Sequence, residues 1–343
     1  MLNNVFITYF GTVLCRSPDG VFYHCQIEEV YIPWIYKKDH NISIVAKEDG
    51  ANIYLNCNQK REFLSAHPGG NISFTRNQAG WEVFRTIDMH VLLSMKKEKL
   101  SIPIKKTNYK VSKIIHQIGN ESNIPEIFLE NVEFIKKTNP GWEYKYWSEK
   151  DRHDFIYTYY GWEILKYYLS INRNYGAARA DFFRYLCIYQ MGGVYLDLKS
   201  RNSKPFDMIL RQDDEYLLSQ WDHSEGSPFR VWGLGPEINF IPGGEYQQWH
   251  IIARSGHPFL QNVIESTISR IRHYSEALYG IGRLGVLRVT GPYVYSTAIF
   301  PILNQHKHRI FDSGKAGLVY SCVDNHTNVL GRHYSEATTP VIL

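Results

Sequence analysis

The sequence predicts two domains, a small all-β domain followed by a larger α/β domain with a mainly parallel sheet. In residues 1–105, Val, Ile, Tyr and Phe alternate with polar residues between turns that contain Gly or Pro, which is typical of strands. In residues 111–343, short apolar segments alternate instead with helical segments, which indicates a βαβ progression. A chain of 343 residues is long enough for both domains.

The composition is that of a globular protein and argues against binding to nucleic acid. Hydrophobic residues make up 44% of the chain and charged residues 21%. The net charge of +4 comes from 38 basic and 34 acidic residues that are scattered along the chain. Aromatic residues reach 15%, a surplus that suits stacking on carbohydrate rings, although a general preference for Tyr explains it equally well.

The cysteines and the hydropathy pattern indicate a cytoplasmic protein. The five Cys residues form an odd, sparse set without Cys-x-x-Cys spacing, which favours reduced thiols. The N-terminal residues show no basic region followed by a small-residue cleavage site, so we expect no signal peptide. No apolar run approaches the roughly 20 residues that a spanning helix needs. We therefore expect a cytoplasmic protein of bacterial or viral type, without a transmembrane segment.

Three hairpins are predicted in the β domain. They cover Phe6 to Gln26, Ile42 to Cys57 and Ile72 to Ile87. Their starts lie roughly 30 to 35 residues apart, close to the lobe period of a small lectin-like or fascin-like β-trefoil. A β-sandwich explains the pattern nearly as well, and the domain either binds a glycan or only packs against its neighbour. The basic, Pro-containing passage from Lys96 to Lys110 is predicted to be the linker.

The α/β domain is predicted to open with a buried strand at residues 114–118, where three Ile residues cluster. Apolar residues at helical spacing follow in residues 124–137, and a turn of Asn, Pro and Gly leads into an alternating strand at 142–147. An aromatic helix is expected at residues 155–171. Strand, helix and strand in this order predict neighbouring parallel strands.

The most informative stretch is a helix that is followed directly by a strand. The helix is predicted from Ala177 to Gln190, with Asn174 as its N-cap and a Gly-Gly pair at its end. The short apolar run at residues 194–196 predicts a buried strand. Asp197 then lies at the carboxyl end of this strand, the edge at which ligands collect in open α/β sheets.

Two charged residues of this helix lie on one face. Asp181 and Arg184 are three residues apart, and small Ala residues nearby leave space for a ligand. Together with Asp197 they suit a polyol attached to a phosphate, because carboxylates accept from sugar hydroxyls and guanidinium groups donate to oxyanions. The alternative is a solvated ion pair on the helix and an Asp197 that only caps a turn.

This stretch resembles the signature of glycosyltransferase family 32, the sugar-transferases with a DXD motif, which the large clostridial glucosylating toxins share. The family has (Ala/Ser)-Asp-x-x-Arg-Tyr on a helix, followed by Gly-Gly-(Val/Ile)-Tyr-x-Asp-x-Asp. The matching positions are Ala180, Asp181, Arg184, Tyr185, Gly192, Gly193, Val194, Tyr195 and Asp197. The resemblance implies a GT-A type nucleotide-diphosphosugar transferase fold, with Asp181, Arg184 and Tyr185 on the donor side.

Two further runs are similar to family motifs. The family opens its catalytic domain with Pro-Lys-x-Ile-His-Gln-x-Trp. Residues 112–119 match this motif at Lys113, Ile115, His116 and Gln117 but lack the Trp, and the match implies a donor-side role for His116. The alternative for His116 is a structural histidine at a strand end. The family also has an Asn on a strand ahead of a Gly-His-Pro-Phe helix start. That motif implies that Asn239, with Glu237 beside it, lines the acceptor side, unless Asn239 is an ordinary polar residue at a strand end.

The chain departs from the family at Lys199, where the second Asp of the DXD motif is expected. In the family, that Asp holds a divalent metal ion that neutralises the donor diphosphate. An ammonium group cannot ligate a metal, but it can bring positive charge to a phosphate. Lys199 therefore either weakens or replaces a Mn²⁺ or Mg²⁺ requirement, or it has disabled catalysis. If a metal is retained, Asp197 and His333, in the region where relatives have a C-terminal His, are its expected ligands.

The resemblance implies a retaining glycosyltransferase that moves a hexose from a UDP- or GDP-linked donor to a hydroxyl of a glycan acceptor. Asp197 and Lys199 are the expected catalytic residues, Asp197 on sugar or ribose hydroxyls and Lys199 on the developing phosphate charge. The alternative is a catalytically impaired protein that binds carbohydrate or nucleotide sugar.

Overall fold

A computed structural model describes residues 4–25, 30, 33–34, 44–49, 52–57, 62–67, 70–92, 102, 109–119, 121–322 and 337–343. The chain forms two compact units. The first comprises residues 1–100, 236–240 and 275–280, and the second comprises residues 101–235, 241–274 and 281–343. Two short segments of the predicted second domain, residues 236–240 and 275–280, thus belong to the first unit.

The first unit is built from antiparallel strands. They are β1 Asn4–Ile7, β2 Val13–Arg16, β3 Phe22–Cys25, β4 Ile44–Asp49, β5 Asn52–Cys57, β6 Glu62–Ala66, β7 Ile72–Thr75 and β8 Val83–Asp88. They pair in the order β3-β2-β1-β8-β5-β6-β7, and β4 also pairs with β5. Alternate side chains of these strands, among them Phe6, Leu14, Leu55 and Phe84, form a buried apolar core. The predicted all-β class of this region is confirmed.

Two of the three predicted hairpins are present. β2 pairs with β3 within the first predicted unit, and β4 pairs with β5 within the second. The third prediction is wrong, because β7 pairs with β6 while β8 pairs with β1 and β5. A 3₁₀ helix at Gly80–Glu82 separates β7 from β8, and β8 takes its partners from strands distant in sequence. The threefold repeat of a trefoil stays a prediction.

The second unit contains a six-stranded sheet in the order β10-β9-β11-β14-β13-β15, and a separate two-stranded ladder of β12 and β16. The strands are β9 Ile114–Ile118, β10 Glu143–Trp147, β11 Gly193–Leu196, β12 Arg201–Asn202, β13 Tyr216–Leu218, β14 His250–Ala253, β15 Arg309–Ile310 and β16 Leu318–Val319. β10, β9 and β11 are parallel, as predicted. β14 runs antiparallel to both β11 and β13, and β15 is parallel to β13. Five of the six strands therefore share one direction, and the sheet is mainly parallel, as predicted.

Helices connect these strands. They are α1 Glu126–Thr138, α2 Glu149–Ser170, α3 Gly176–Met191, α4 Phe206–Ile209, α5 Pro258–Arg272, α6 Glu276–Tyr279, α7 Gly282–Val289 and α8 Pro292–Ile299. Proline is the first residue of α5 and of α8. A backbone N–H at this position has no partner within the helix, so its absence in Pro costs no hydrogen bond. Of these, α6 belongs to the first unit. In the part of the chain that the structure describes, no helix combines the length and hydropathy that a bilayer span requires.

The helix α3 is buried along almost its whole length. It begins one residue before the predicted start, and its N-cap is Tyr175 rather than Asn174. Buried side chains occupy all sides of the helix, which suits an interior position. Asp181 and Arg184 are among these buried residues, so each charge needs a partner within the protein.

Gly192 and Gly193 form the junction between α3 and β11 and have positive φ values of 67° and 101°. A Cβ atom at Gly193 would lie 2.5 Å from the carbonyl oxygen of Ile114 on the neighbouring strand. We expect Gly193→Ala to lower the free energy of unfolding by about 3 kcal/mol or more, measured by urea denaturation. The control Gly141→Ala has a similar φ of 85° but no atom within 4 Å of its Cβ, and we expect it to lose only about 1 to 2 kcal/mol. Equal losses would contradict the steric argument.

Candidate active site

Asp181, Arg184 and Asp197 form one charged cluster. The Nη2 atom of Arg184 lies 3.0 Å from Oδ1 of Asp181 and 3.3 Å from Oδ1 of Asp197. α3 supplies the first two residues, and Asp197 follows the last residue of β11. The cluster therefore lies at the carboxyl edge shared by the parallel strands β9, β10 and β11, where α/β proteins commonly bind ligands. One guanidinium group joins the two carboxylates at a single site.

The orientation of Arg184 is set by contacts to each of its nitrogens. Its Nη1 donates to the carbonyl oxygen of Gln248 at 2.8 Å, and its Nε donates to that of Ala180 at 3.4 Å. The ring centroid of Tyr195 lies 4.5 Å from Cζ, which adds a cation–π contact. Burial disfavours the charge on Arg184, but Tyr195 and the two carboxylates outweigh this effect and raise its pKa. Arg184 is therefore a fixed cation.

Asp181 lies behind the guanidinium group and is only 4% exposed. Its Oδ2 accepts from the Thr290 hydroxyl at 3.1 Å, and its Oδ1 accepts from Nε2 of Gln248 at 3.3 Å. Burial raises the pKa of Asp181 to about 7, although the Arg184 guanidinium opposes the shift. Asp181 thus changes its charge near neutral pH.

This shift predicts that Asp181 makes the protein less stable as the pH rises. The pKa of an Asp in the unfolded chain is near 4 and that of Asp181 in the folded protein is about 7, so the folded state holds the proton more tightly. The stabilisation is complete below pH ~4 and lost as the pH rises through about 7. Between pH 4 and pH 8, the free energy of unfolding of the wild type, measured relative to that of Asp181→Asn, should fall by roughly 4 kcal/mol. Urea denaturation from pH 4 to pH 8 measures it, and a difference independent of pH would contradict it.

Asp197 is the member of the cluster that a ligand can reach. Its side chain is 24% exposed, compared with 6% for each of Asp181 and Arg184. Oδ1 of Asp197 accepts from the Tyr195 hydroxyl at 2.8 Å in addition to its contact with Arg184. Among the described residues, none donates to Oδ2. The second oxygen is thus available to accept a hydrogen bond from a ligand hydroxyl.

Lys199 belongs to a tight turn of residues 197–200, closed by a hydrogen bond of 2.8 Å from the Ser200 N–H to the Asp197 carbonyl oxygen. Its Nζ atom donates to the hydroxyl of Tyr320 at 3.0 Å and lies 4.3 Å from the centroid of that ring. Within the described ranges Lys199 makes no ion pair with a carboxylate. Among the residues that the structure describes, no acidic side chain neutralises this ammonium group.

The described residues around Asp197 do not fit a divalent metal ion. The Asp197 carboxylate is already paired with Arg184, and the second acid of the family motif is replaced by Lys199. Across the residues that the structure describes, no group of three His, Cys, Asp or Glu side chains has an arrangement that could hold a metal. His333, the additional ligand that we predicted, lies outside the described residues.

His116 is an interior residue, and the prediction that it contacts the donor is wrong. It has no exposed surface, its Nε2 lies 3.1 Å from the Gly192 carbonyl oxygen, and its Nδ1 accepts from the Trp147 indole at 3.1 Å. Burial lowers the pKa of His116 to about 4, so the ring is neutral with its proton on Nε2. It links the strands to the end of α3, the structural alternative stated above.

Tyr185 is also fully buried and is not placed to touch a donor. Its hydroxyl donates to the Thr290 carbonyl oxygen at 2.7 Å, and its ring stacks on Tyr295 with centroids 5.6 Å apart. The side-chain oxygen of Gln248 is also within hydrogen-bond distance of this hydroxyl and is an alternative acceptor for its single proton. Tyr185 therefore supports the charged cluster indirectly, through Gln248 and Thr290, which both contact Asp181.

The two predicted acceptor residues are not on a strand. Glu237 lies in a 3₁₀ helix, Pro236–Ile238, and Asn239 lies in the turn that follows it. The Gly-Pro pair before Glu237 disfavours a strand, since Pro cannot donate to a sheet ladder. Both residues belong to the first unit. Their role in acceptor binding stays a prediction.

Gln248 contacts three residues of the site, and the sequence analysis did not predict it. Its backbone carbonyl accepts from Arg184, while its side chain contacts Asp181 and Tyr185. It lies two residues before β14, whose first residue, His250, pairs with the last residue of β11. Because β14 is antiparallel to β11, the start of β14 lies beside the end of β11. The residues just before β14 therefore lie beside Asp197. The direction of β14 was the signal needed to find Gln248.

Comparison with known proteins confirms the resemblance stated from the sequence. Residues 125–216 match the model of the family described as glycosyltransferase sugar-binding region containing DXD motif. This segment is therefore similar to that glycosyltransferase family. It contains α3, β11 and all three residues of the charged cluster.

Curated relatives of this glycosyltransferase segment are mannosyltransferases. Inositol phosphoceramide mannosyltransferase 3 of Schizosaccharomyces pombe is 33% identical over 100 residues, which cover 29% of this chain and 27% of that protein. Initiation-specific alpha-1,6-mannosyltransferase of Candida albicans is 26% identical over 204 residues, which cover 54% of this chain and 50% of that protein. The chain spans half or less of the length of these relatives. Among solved structures, PaToxG glycosyltransferase matches with a TM-score of 0.40 and 18% identity, covering 57% of this chain and 72% of that chain.

Proposed function

We propose that the chain is a retaining glycosyltransferase of the GT-A type, which transfers a hexose from a UDP- or GDP-linked donor to a hydroxyl of a glycan. The observation that carries this proposal is the charged cluster at the carboxyl edge of the sheet, inside the segment that matches the DXD family. The names of the relatives make a mannose donor the first to test.

In this proposal Asp197 binds the donor directly. Its Oδ2, to which none of the described residues donates, accepts a hydrogen bond from a hydroxyl of the sugar or of the ribose, and Arg184 and Tyr195 hold the carboxylate in place. Asp181 and Arg184, which we first expected to grip the sugar, have a supporting role because their side chains are buried. Arg184 also offsets one negative charge, which reduces repulsion between the cluster and a diphosphate.

Lys199 is the cation that we assign to the leaving group. As the bond between the anomeric carbon and the diphosphate oxygen breaks, negative charge grows on the diphosphate, and an ammonium group nearby stabilises it. The acceptor hydroxyl attacks the anomeric carbon from the face that the diphosphate leaves. Its proton passes to the leaving diphosphate oxygen, so the configuration at the anomeric carbon is retained.

A catalytically impaired protein that binds nucleotide sugar is the second candidate. The observation that favours it is Lys199, since the family has an acidic residue at this position. Such a protein would bind a donor with the same charged cluster but neither transfer nor hydrolyse the sugar over hours of incubation.

A screen of nucleotide sugars for thermal stabilisation, followed by a transfer assay with and without EDTA, tests the proposal. We expect GDP-mannose or another hexose donor to stabilise the protein and its turnover to survive EDTA. Lys199→Asp should lower turnover in EDTA by about 100-fold and make it dependent on Mn²⁺. The matched control Lys204→Asp, which removes an exposed lysine, should leave turnover unchanged.

Two results would contradict parts of this proposal. Complete loss of wild-type turnover in EDTA, restored only by Mn²⁺, would show that Lys199 does not replace the metal. Donor binding without transfer or hydrolysis would favour the second candidate.

A further inference from the structure

The backbone of the turn at residues 197–200 is held by hydrogen bonds to all four of its carbonyl oxygens. The Nδ2 atom of Asn131 lies 3.0 Å from two of these oxygens, and Nε2 of Gln117 lies 3.0 Å from a third. The backbone N–H of Cys322 donates to the fourth, that of Lys199, at 2.9 Å. The Cα atom of Lys199 therefore has a set position, and only its flexible side chain remains to be placed.

The ladder of β12 and β16 brings Tyr320 to this side chain. Arg201 pairs with Val319, so Tyr320 lies opposite the turn, and the Ser200 hydroxyl donates to its carbonyl oxygen. The phenol oxygen of Tyr320 accepts from Nζ of Lys199 at 3.0 Å, and the same ammonium lies 4.3 Å from the ring centroid. Tyr320 thus provides Lys199 with both a hydrogen-bond acceptor and a cation–π contact.

Tyr320 is itself held by four aromatic rings. Its centroid lies 5.2 Å from that of Trp221 and 5.5 Å from that of Trp249, and both contacts are edge-to-face. Trp232 and Phe229 make further edge-to-face contacts at 5.7 and 6.0 Å. Edge-to-face packing is a favoured geometry for aromatic pairs, so this cluster restricts rotation of the Tyr320 ring. The ring is a rigid support for the ammonium group.

We propose that Tyr320 is a positioning residue, which holds the Lys199 ammonium ready to bind the diphosphate of a nucleotide. The inference rests on the proposed function, because that function assigns a nucleotide sugar to this edge of the sheet. An ammonium group has three N–H donors, and of the described residues Tyr320 accepts from one of them, which leaves two for phosphate oxygens. A lysine that is already anchored also loses less side-chain entropy when it binds phosphate.

The hydroxyl of Tyr320 separates this role from a purely structural one. Packing in the aromatic cluster needs only the ring, which Tyr320→Phe retains. Lys199→Met removes the ammonium group and keeps a side chain of similar length. A double-mutant cycle with these two substitutions therefore measures whether the hydroxyl acts through Lys199.

The readout is the affinity for UDP and for GDP in EDTA, measured by calorimetry on the full chain. We expect Tyr320→Phe to weaken binding about fivefold and Lys199→Met to weaken it about tenfold or more. Tyr320→Phe should cause no further loss in the Lys199→Met background. The control Tyr160→Phe removes a hydroxyl that donates to the Leu186 carbonyl oxygen at 2.7 Å, and it should leave affinity unchanged.

Three results would overturn the inference: the same loss from Tyr320→Phe in both backgrounds, no loss from Lys199→Met, or no binding of UDP or GDP by the wild type in EDTA. The transfer assay tests the proposed function separately. A chain that shows the coupling but transfers no sugar supports the role of Tyr320 and contradicts the transferase proposal.

Discussion

Replacing Arg184 with methionine is expected to lower the free energy of unfolding by about 3 to 5 kcal/mol at pH 8. The substitution leaves the buried carboxylate of Asp181 without its cation, and a buried charge without a partner is costly. At pH 5 the Asp181 carboxyl is already protonated, because its pKa is about 7, so we expect a smaller loss of about 1 to 2 kcal/mol. Urea denaturation at the two pH values measures both quantities.

Two controls separate the lost ion pair from lost packing. The double variant Arg184→Met with Asp181→Asn has no buried charge at this position and should recover part of the stability at pH 8. Lys150→Met removes the cation of an exposed pair with Asp154 and should leave the free energy of unfolding nearly unchanged. A loss for Arg184→Met no larger than that of Lys150→Met would contradict the role of the buried pair.

Asp197→Asn is expected to lower kcat/KM for the donor sugar on the order of 100-fold. The asparagine has nearly the same shape, but it replaces a charged acceptor by a neutral amide at the position that a ligand can reach. Because Asp197 is partly exposed and Arg184 keeps Asp181 as a partner, the free energy of unfolding should change by less than about 1 kcal/mol. Steady-state kinetics and urea denaturation give the two values.

The control for this substitution is Asp154→Asn, which changes an exposed carboxylate elsewhere in the second unit. It should leave kcat/KM unchanged. If Asp197→Asn kept full activity, the donor would have to bind away from the charged cluster. If it instead unfolded the protein, Asp197 would be a structural residue.

The helix and strand that carry the charged cluster could be predicted from local sequence. A long stretch without helix breakers, followed by two glycines and a short apolar run, predicted α3 and β11 nearly to the residue. The spacing of Asp181 and Arg184 placed them on one face, and the βαβ order predicted the parallel strands that bring Asp197 to the same edge. All of these features depend on residues that are near one another in the chain.

Local sequence could not predict which distant residues contact the site or how deeply each side chain is buried. Gln248 and Tyr320 reach the site because β14 is antiparallel to β11 and because β16 pairs with β12, and neither pairing has a local signal. His116 matched a family motif, yet the strands around it leave its ring without exposed surface.

The sequence by itself determined which side chains share a helix face and which one follows the strand, since helical and strand periods are local properties. Only the tertiary structure decided that Asp197 is partly exposed, that Asp181 and Arg184 are buried, and that Lys199 contacts Tyr320. Exposure and pairing depend on segments far apart in the chain, whose packing no local pattern records.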